Sequence, residues 1–352
     1  MGMWAKTKSS RYFNSAFTIV ELLVVIVVIG VLAAITVVSY TGITNRAAIA
    51  SAQSDLSNAS KKLKLYQLNN DNEDYPVDKA TAIASNLIPD SDNLSYYVDN
   101  NTDPKTFCLS YINQTNNIAY SINQDGSPIP APYCPILYLD ASKPDSYPGS
   151  GTTWYDLSGL ANNATLTNGP TFIPDSGGAF SFDGVNDHAD IHTAPSLVEG
   201  GSIIAWIYIS NWTTSYDSIV FKGPNLSWPD IDYGLFRNGT SNTFLGTLND
   251  GVHNMSGSGP KSSAISLGHW YQLVFTWDGS ITKFYTNGLQ TGAVGYIYEP
   301  GDRSSEMKIG SHVFGSGYFF NGQIAKVKLF ERSINEDEVL INFNITKGRY
   351  GL

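Results

Sequence analysis

The chain has 352 residues, a formal net charge of −10, 12% aromatic residues, 32 glycines and two cysteines. This length exceeds one ordinary domain, and aromatic residues with many glycines favour sheets and turns over helical bundles. The acidic balance leaves no basic patch for nucleic acid, and the sequence has no glycine-rich phosphate loop followed by lysine that would indicate a nucleotide site.

The N-terminus combines a basic leader with an apolar run that contains one carboxylate. Lys6, Lys8 and Arg11 precede the run 17–35, and Glu21 lies just inside it. The cations predict that the N-terminus stays cytoplasmic while the following chain crosses the membrane. A plain transmembrane anchor leaves Glu21 unexplained, since a charge at the membrane centre costs about 2.5–3.5 kcal/mol. A secretory signal is a second alternative, but its apolar core does not normally hold a glutamate.

The stretch Ala16-Phe17-Thr18-Ile19-Val20-Glu21 resembles the N-terminus of type IV prepilins and type II secretion pseudopilins. The resemblance implies that prepilin peptidase cuts between Ala16 and Phe17 and that Phe17 becomes the methylated amino terminus. It also implies that Glu21 neutralises the terminal ammonium of a neighbouring subunit, because an unpaired charge inside a filament would be costly. Ala16 departs from the glycine that is more common before the cut. Loss of this leader would take the net charge to about −13.

The sequence after the apolar run predicts an amphipathic helix and then a small sheet. Apolar residues recur at steps of three and four, as on one helix face, at Ile49, Ala52, Leu56, Ala59, Leu63 and Tyr66. The polar run 69–74 with Tyr75-Pro76 is predicted to end this helix. Strands are predicted over 94–99, 105–112 and 117–123. We therefore divide this part into a leader (1–16), a transmembrane or filament-core helix (17–45) and a pilin head (46–134).

The two cysteines, Cys108 and Cys134, fit neither a Cys-x-x-Cys motif nor a zinc pattern. In an exported chain a disulfide is the better interpretation, and it would contribute about 2–4 kcal/mol. Pilins often carry such a bond near the C-terminal end of the head, where this pair falls. The proline-rich segment 128–132 marks the boundary to the next domain.

Residues 135–352 predict an all-β domain. Short strands separated by turns are predicted over 136–140, 179–183, 202–210, 217–222, 233–237, 243–248, 270–277, 281–286 and 323–330. Asn287-Gly288 is a hairpin signal. So many strands with little helix predict a two-sheet sandwich. Ser333 and Glu336 predict the capping box of one terminal helix.

The order of motifs in this domain resembles the laminin-G-like domains of the concanavalin-A-like jelly-roll superfamily. The matching pieces are Tyr155-Asp156-Leu157-Ser158-Gly159, Asn168-Gly169-Pro170-Thr171-Phe172, Phe182-Asp183-Gly184-Val185-Asn186-Asp187, Trp270-Tyr271-Gln272-Leu273-Val274, Phe284-Tyr285-Thr286-Asn287-Gly288 and Phe320-Asn321-Gly322-Gln323-Ile324. The fold class expected for the chain is therefore an α+β pilin followed by an all-β jelly-roll sandwich. The resemblance implies a module that binds carbohydrate or protein, often with bound calcium.

A calcium site is expected at the turn around Gly184, where Asp183, Asn186 and Asp187 supply hard oxygen ligands. The alternative is an Asx-rich turn whose side chains bond only to backbone. Ala325 stands where family members often have an acidic residue, which departs from the full metal pattern.

Five aromatic residues in polar, loop-like surroundings are candidates for stacking against a glycan. They are Trp212, Trp228, Tyr233, Tyr298 and Tyr318. Trp206, Trp270 and Trp277 alternate within apolar strands and are predicted to lie in the core.

No catalytic residues are predicted. Jelly rolls that cleave polysaccharides use paired carboxylates on one strand face, whereas the one dense acidic cluster, 336–338, falls in the predicted terminal helix. The five histidines form no metal pair at helical spacing and no triad with a nucleophile elbow.

These features predict a minor type IV pilin or pilin-like adhesin that is not an enzyme. We expect a single-pass protein of the inner (cytoplasmic) membrane that later joins an extracellular pilus or pseudopilus. Its expected partners are other pilin subunits, prepilin peptidase, the membrane and a surface glycan or protein, with no nucleic acid. A pseudopilin of a type II secretion or DNA-uptake system and a structural spacer without ligand remain open alternatives.

Overall fold

The structure is a computed structural model. It describes residues 19–70, 72–100, 105–113, 115–116, 118–124, 126–213, 216–224, 231–255, 257–296, 298–303, 306–312 and 318–352, with the backbone alone at 33–43, 99 and 176. The leader, Ala16, Phe17 and Trp228 lie outside these residues. The chain forms two compact units, Met1–Ser51 and Ala52–Leu352.

The first helix, α1, spans Ile19–Leu68. Its residues 19–32 include no proline, and every apolar side chain among them is exposed. Among the helices that the structure describes, none meets the length and apolarity needed to cross a membrane.

From Ala52 onward, α1 packs on a three-stranded antiparallel sheet. The strands are β1 (Leu94–Asp99), β2 (Thr106–Asn113) and β3 (Ile118–Asn123), with β2 in the middle. Leu56, Ala59 and Leu63 form a cluster with Phe107 and Leu109 of β2. The helical period of apolar residues therefore predicted the buried face correctly. The cluster is the core of this small α+β part.

The connection from α1 to the sheet contains one short helix that the sequence pattern did not predict, α2 (Lys79–Ala84). Asp78 caps it, since its side chain accepts a hydrogen bond from the Thr81 backbone N–H at 2.7 Å. The Cys108–Cys134 disulfide is present, with the two Cα atoms 5.8 Å apart. It confirms the predicted pairing and ties the end of the proline-rich segment to β2.

Residues 137–330 form a sandwich of two antiparallel sheets. Sheet I runs in the order β16 (Leu289–Gly295), β15 (Ile281–Thr286), β14 (Trp270–Trp277), β10 (Gly201–Ile209), β18 (Asn321–Phe330), β8 (Ala179–Asp183) and β7 (Thr171–Ile173), and β4 (Leu137–Asp140) also pairs with β18. Sheet II runs in the order β13 (Phe244–Leu248), β12 (Tyr233–Arg237), β11 (Ser218–Lys222), β17 (Met307–Ile309), β9 (His188–Ile191), β6 (Ala164–Thr167) and β5 (Thr153–Trp154). The predicted two-sheet sandwich is confirmed.

The central strands of sheet I, β14, β10 and β18, are buried on both faces. Along β10, Ile203, Ala205 and Ile207 point into the main core, whereas Trp206 points to the opposite face. There the Trp206 ring stacks on Tyr350 with centroids 4.0 Å apart. This outer face is covered because the chain continues past the sandwich and folds back over it.

The helix that follows the sandwich is α3 (Glu336–Asn344). Its capping box is formed by Asn335 and Glu338, so the predicted pair Ser333 and Glu336 is wrong. Ile334 is 1% exposed and packs with the outer-face cluster of sheet I. Ile334 is therefore fixed in the core just before the helix. The next residue, Asn335, has an extended backbone and is the N-cap of α3.

Candidate ligand-binding site

One end of the sandwich is organised by the turn between β8 and β9. The Asp183 carboxylate accepts hydrogen bonds from the backbone N–H groups of Val185 at 2.8 Å and Asn186 at 3.2 Å. In return, the Asp187 carboxylate accepts one from the Asp183 N–H at 3.0 Å. The backbone donors outweigh the burial that would raise the Asp183 pKa, so that pKa is lowered. The two carboxylates thus hold the turn together by bonding to its own backbone N–H groups.

Gly184 lets one loop and the start of β18 approach this turn closely. Its φ is +77°, in the left-handed region, and a Cβ atom there would lie 2.5 Å from Thr213 and 2.8 Å from the Asn321 side chain. The Asn321 amide donates to the Asp183 carbonyl at 2.7 Å. Only glycine fits both demands. The turn, the loop before β11 and the start of β18 therefore meet at this end.

The three predicted calcium ligands lie together on this turn but do not by themselves form a metal cage. Asp183 and Asn186 are exposed, whereas Asp187 is buried. Within the described part of the chain, no group of three or more His, Cys, Asp or Glu side chains is placed to hold a metal ion. Calcium takes about six to eight oxygens, and the turn offers two carboxylates and one amide. Calcium binding here stays a prediction.

Trp212 lies beside the same turn, over a buried ion pair. The Arg237 guanidinium is 4.2 Å from the Trp212 ring centroid and pairs with Asp217 at 3.1 Å. Both charged side chains are almost fully buried, so Arg237 is held in place. The partly buried Trp212 ring thus rests on a fixed cationic plane, an arrangement that stabilises it and gives this loop a rigid aromatic surface.

Tyr318 belongs to the same end of the sandwich. Its carbonyl accepts from the Ser218 N–H at 3.4 Å, and its ring lies 5.9 Å from Tyr216 and 4.9 Å from His312. Burial lowers the pKa of His312 to about 3, so this ring is neutral at physiological pH. The structure therefore brings together Trp212, Tyr318 and the Asp183 turn.

Tyr298 lies with a second aromatic group, after β16 and beside the loop that follows β13. Its ring stacks on His253 with centroids 3.7 Å apart and planes 6° apart, and Tyr296 meets it edge-on at 5.4 Å. The Asp250 carboxylate bonds the His253 ring at 2.9 Å. Because β12 and β13 run between this group and Trp212, the two aromatic groups occupy opposite ends of those strands.

Tyr233 is not part of any exposed platform, and its assignment as a ligand residue is wrong. It is fully buried in the sandwich core, and its hydroxyl donates to the Pro195 carbonyl at 2.8 Å. It begins β12, and alternation along that strand turns its ring inward to lie 5.7 Å from Trp277. Trp206, Trp270 and Trp277 are buried, as predicted.

Two residues that complete these aromatic groups escaped the sequence interpretation. Arg237 is the last residue of a predicted strand, and its local sequence does not indicate that its side chain packs against the Trp212 ring. His253 carries a weak local signal, since Asp250 lies three residues earlier. Its stacking partner Tyr298 is 45 residues away, beyond the reach of any local pattern.

Two segments of the chain match known families. Residues 12–37 match the prokaryotic N-terminal methylation motif, and residues 183–340 match the concanavalin A-like lectin/glucanases superfamily. No curated protein matches the chain. The chain thus joins a prepilin-like N-terminus to a lectin-like β-sandwich.

Similar solved structures include a Trypanosoma rangeli sialidase bound to the inhibitor DANA, at 17% identity and TM-score 0.43, covering 59% of this chain and 32% of that one. The binding domain of botulinum neurotoxin serotype G is 18% identical at TM-score 0.44, covering 60% and 51%. Domain 4 of a Geobacillus stearothermophilus arabinanase, in complex with arabinotriose, is 16% identical at TM-score 0.46, covering 58% and 96%. This chain spans less than two thirds of the sialidase and toxin chains. Similarities of this degree say nothing about ligand or activity.

Proposed function

We propose that this chain, which carries a prokaryotic N-terminal methylation motif ahead of a lectin-like sandwich, is a minor pilin or pilin-like adhesin. The observation that carries the proposal is the presence of both matched segments in one polypeptide. The N-terminal helix would insert the subunit into the inner membrane and then into a filament. The sandwich would be displayed outside the cell as a binding module, without catalysis.

The ligand we propose is a surface glycan held by aromatic rings at the ends of the sandwich. Sugars present apolar C–H faces and polar hydroxyls, so a fixed ring with polar neighbours suits them. Tyr298 is 37% exposed and is backed by His253, and Trp212 is backed by Arg237. Both rings are oriented before any ligand arrives, which lowers the cost of ordering them on binding.

The experiment that tests ligand binding is a glycan array, run with the full chain in detergent and with residues 52–352. The shorter chain starts at Ala52 because the small sheet and the sandwich belong to one compact unit. The Cys108–Cys134 bond fixes the connecting proline-rich segment to β2, and Lys328 of β18 donates to the Pro130 carbonyl of that segment at 2.8 Å. Starting at Cys134 would remove these connections. Binding to a protein extract without binding to any glycan would favour the protein-ligand alternative.

The matched variants for this array are Tyr298→Ala, Trp212→Ala and the control Tyr155→Ala. Tyr155 is also exposed, at 44%, but belongs to neither aromatic group. Loss of an aromatic contact worth about 0.5–1.5 kcal/mol lowers affinity roughly twofold to tenfold. We expect that loss for at least one of the first two variants and none for the control. Equal affinity in all three variants would remove both groups from the ligand site.

The role proposed for Glu21 in assembly is tested separately. Glu21→Ala should enter the membrane normally and fail to join filaments, because the neighbouring terminal ammonium would lose its partner. The measurement is the amount of the variant in sheared filaments relative to membranes, with Glu21→Asp as the charge-retaining control. Incorporation of Glu21→Ala at the wild-type level would refute the pairing. Recovery of the protein only in a secretion system's pseudopilus would favour the pseudopilin alternative.

A further inference from the structure

The small sheet and the sandwich enclose a cleft whose lining does not include the Asp183 turn, Trp212 or Tyr298. Its volume is about 450 Å³, within the range of about 300–1,000 Å³ that ligand sites occupy. We call it the junction cleft, and it is defined here by Tyr97, Tyr133, Leu160, Glu199, Arg332 and the Cys108–Cys134 disulfide.

The walls of the junction cleft are fixed. On one side Tyr97 lies opposite Cys108 in the β1–β2 register, and Cys108 is bonded to Cys134. On the other side the Arg332 guanidinium lies 3.9 Å from the Tyr133 ring centroid and pairs with Glu338. The disulfide ties one wall to β2, and the ion pair ties the other wall to α3. A ligand would therefore meet a preformed cleft and pay little to order it.

The surface of the cleft combines an accessible ring with hydrogen-bonding groups. The Tyr97 side chain is 56% exposed and its ring is 6.4 Å from that of Tyr133. Hydroxyl and amide groups of Thr106, Ser196 and Gln124 share the lining. This mixture of an aromatic face and neutral polar groups suits a polyol with apolar C–H faces.

The charges of the cleft select against an anionic ligand. Arg332 is the cation of the lining, and its charge is matched by Glu338. Glu199 and Glu331 also line the cleft, and both are exposed carboxylates that add negative charge. Burial raises the pKa of Tyr133 to about 12, so its hydroxyl stays neutral. A carboxylated or phosphorylated sugar would meet net repulsion here.

From these features we infer that the junction cleft is a second binding site, specific for a neutral pyranose that stacks on Tyr97 with its hydroxyls toward Glu199 and the neutral polar groups. Neither Trp212 nor Tyr298 lines this cleft, so the inference does not depend on the glycan site proposed around those two rings. Two sites on one subunit would increase avidity for a glycan-covered surface.

The test is saturation-transfer NMR with the full chain and residues 52–352. The probes are methyl glycosides of glucose, galactose, mannose and N-acetylglucosamine, with N-acetylneuraminic acid as the anionic probe and putrescine as the cationic one. We expect a neutral glycoside to bind, and Tyr97→Ala to weaken its binding roughly twofold to tenfold. The control Tyr155→Ala should bind as the wild type does. Because Tyr97 is exposed, its removal should leave the melting temperature nearly unchanged.

Further variants separate this site from the one at the ends of the sandwich. Trp212→Ala and Tyr298→Ala should leave the Tyr97-dependent binding intact, whereas Glu199→Gln should weaken it. The inference is overturned if no neutral glycoside binds, if putrescine or N-acetylneuraminic acid binds more tightly, or if Tyr97→Ala and Tyr155→Ala behave alike. Loss of binding in Trp212→Ala or Tyr298→Ala alone would instead support the proposed function without this site.

Discussion

The substitution Asp140→Asn is expected to destabilise the sandwich strongly, because Asp140 joins its first strand, its last strand and the C-terminal segment. The carboxylate is 1% exposed, lies 3.1 Å from the Lys326 ammonium and 2.7 Å from the Arg349 guanidinium, and accepts from the Ser142 hydroxyl at 2.7 Å. Asparagine keeps the size and removes the charge. Lys326, whose side chain is 4% exposed, then remains as a buried cation without its counter-ion.

The expected cost of this change is about 3–5 kcal/mol, the range for removing one partner of a buried ion pair. In a unit of about 300 residues, 1 kcal/mol shifts the melting temperature by about 1.5–2 °C, so the drop should be roughly 5–10 °C. Thermal unfolding of residues 52–352, followed by near-ultraviolet circular dichroism, measures it. The control is Asp145→Asn, an exposed acid near Asp140 in sequence.

The effect of Asp140→Asn should also depend on pH with a defined sign. Burial alone would raise the Asp140 pKa, but the charges of Lys326 and Arg349 outweigh it and lower the pKa below its ordinary value of 3.8. The stabilisation is therefore present above pH 3.8 and is lost as the pH falls through the folded-state pKa. The difference between wild type and Asp140→Asn should shrink in that acidic range. Equal melting temperatures for Asp140→Asn and Asp145→Asn at pH 7 would refute the reasoning.

Three further predictions concern the turn at the sandwich end and the disulfide. Gly184→Ala should lower the free energy of unfolding more than Gly149→Ala does, because both glycines have positive φ but only a Cβ at 184 would meet neighbouring atoms. Chemical denaturation should show a difference of about 1–3 kcal/mol between the two variants. Equal losses of stability would contradict this prediction. If the turn binds calcium, added calcium should raise the melting temperature of the wild type but not that of Asp183→Asn. Identical melting temperatures with calcium and with a chelator would favour the alternative, a turn whose side chains bond only to backbone. Replacing Cys108 and Cys134 by serine should lower the free energy of unfolding by about 2–4 kcal/mol, and an unchanged denaturation midpoint would show that packing alone holds the junction.

The sequence predicted the parts of the fold that repeat locally. Alternation located β8, β12, β14 and β15 to the residue, because their apolar and polar positions follow the strand period. Strands as short as β5 (Thr153–Trp154) were not predicted, since two or three residues cannot establish a period.

The candidate site was predicted in part, for the same physical reason. The Asp183 turn and the aromatic character of Trp212 and Tyr298 can be read along the chain, because turn chemistry and side-chain type are local. Tyr233 opens a predicted strand, but it was assigned to the ligand platform because the stretch before it, 229–232, contains a proline and two aspartates, as loops often do. In the folded sheet its ring points inward and is fully buried. The structure decides which of these aromatic rings face solvent.

The sequence by itself determined the leader motif, the apolar run with Glu21, the change from helix to strands and the cysteine pair. Each of these depends on residue type and spacing over a few neighbours. Tertiary structure alone decided that Arg237 underlies Trp212, that His253 stacks on Tyr298 and that Asp140 pairs with Arg349. These contacts join residues 25 to 209 positions apart in the chain, and only packing of the two sheets and the returning C-terminus places them together.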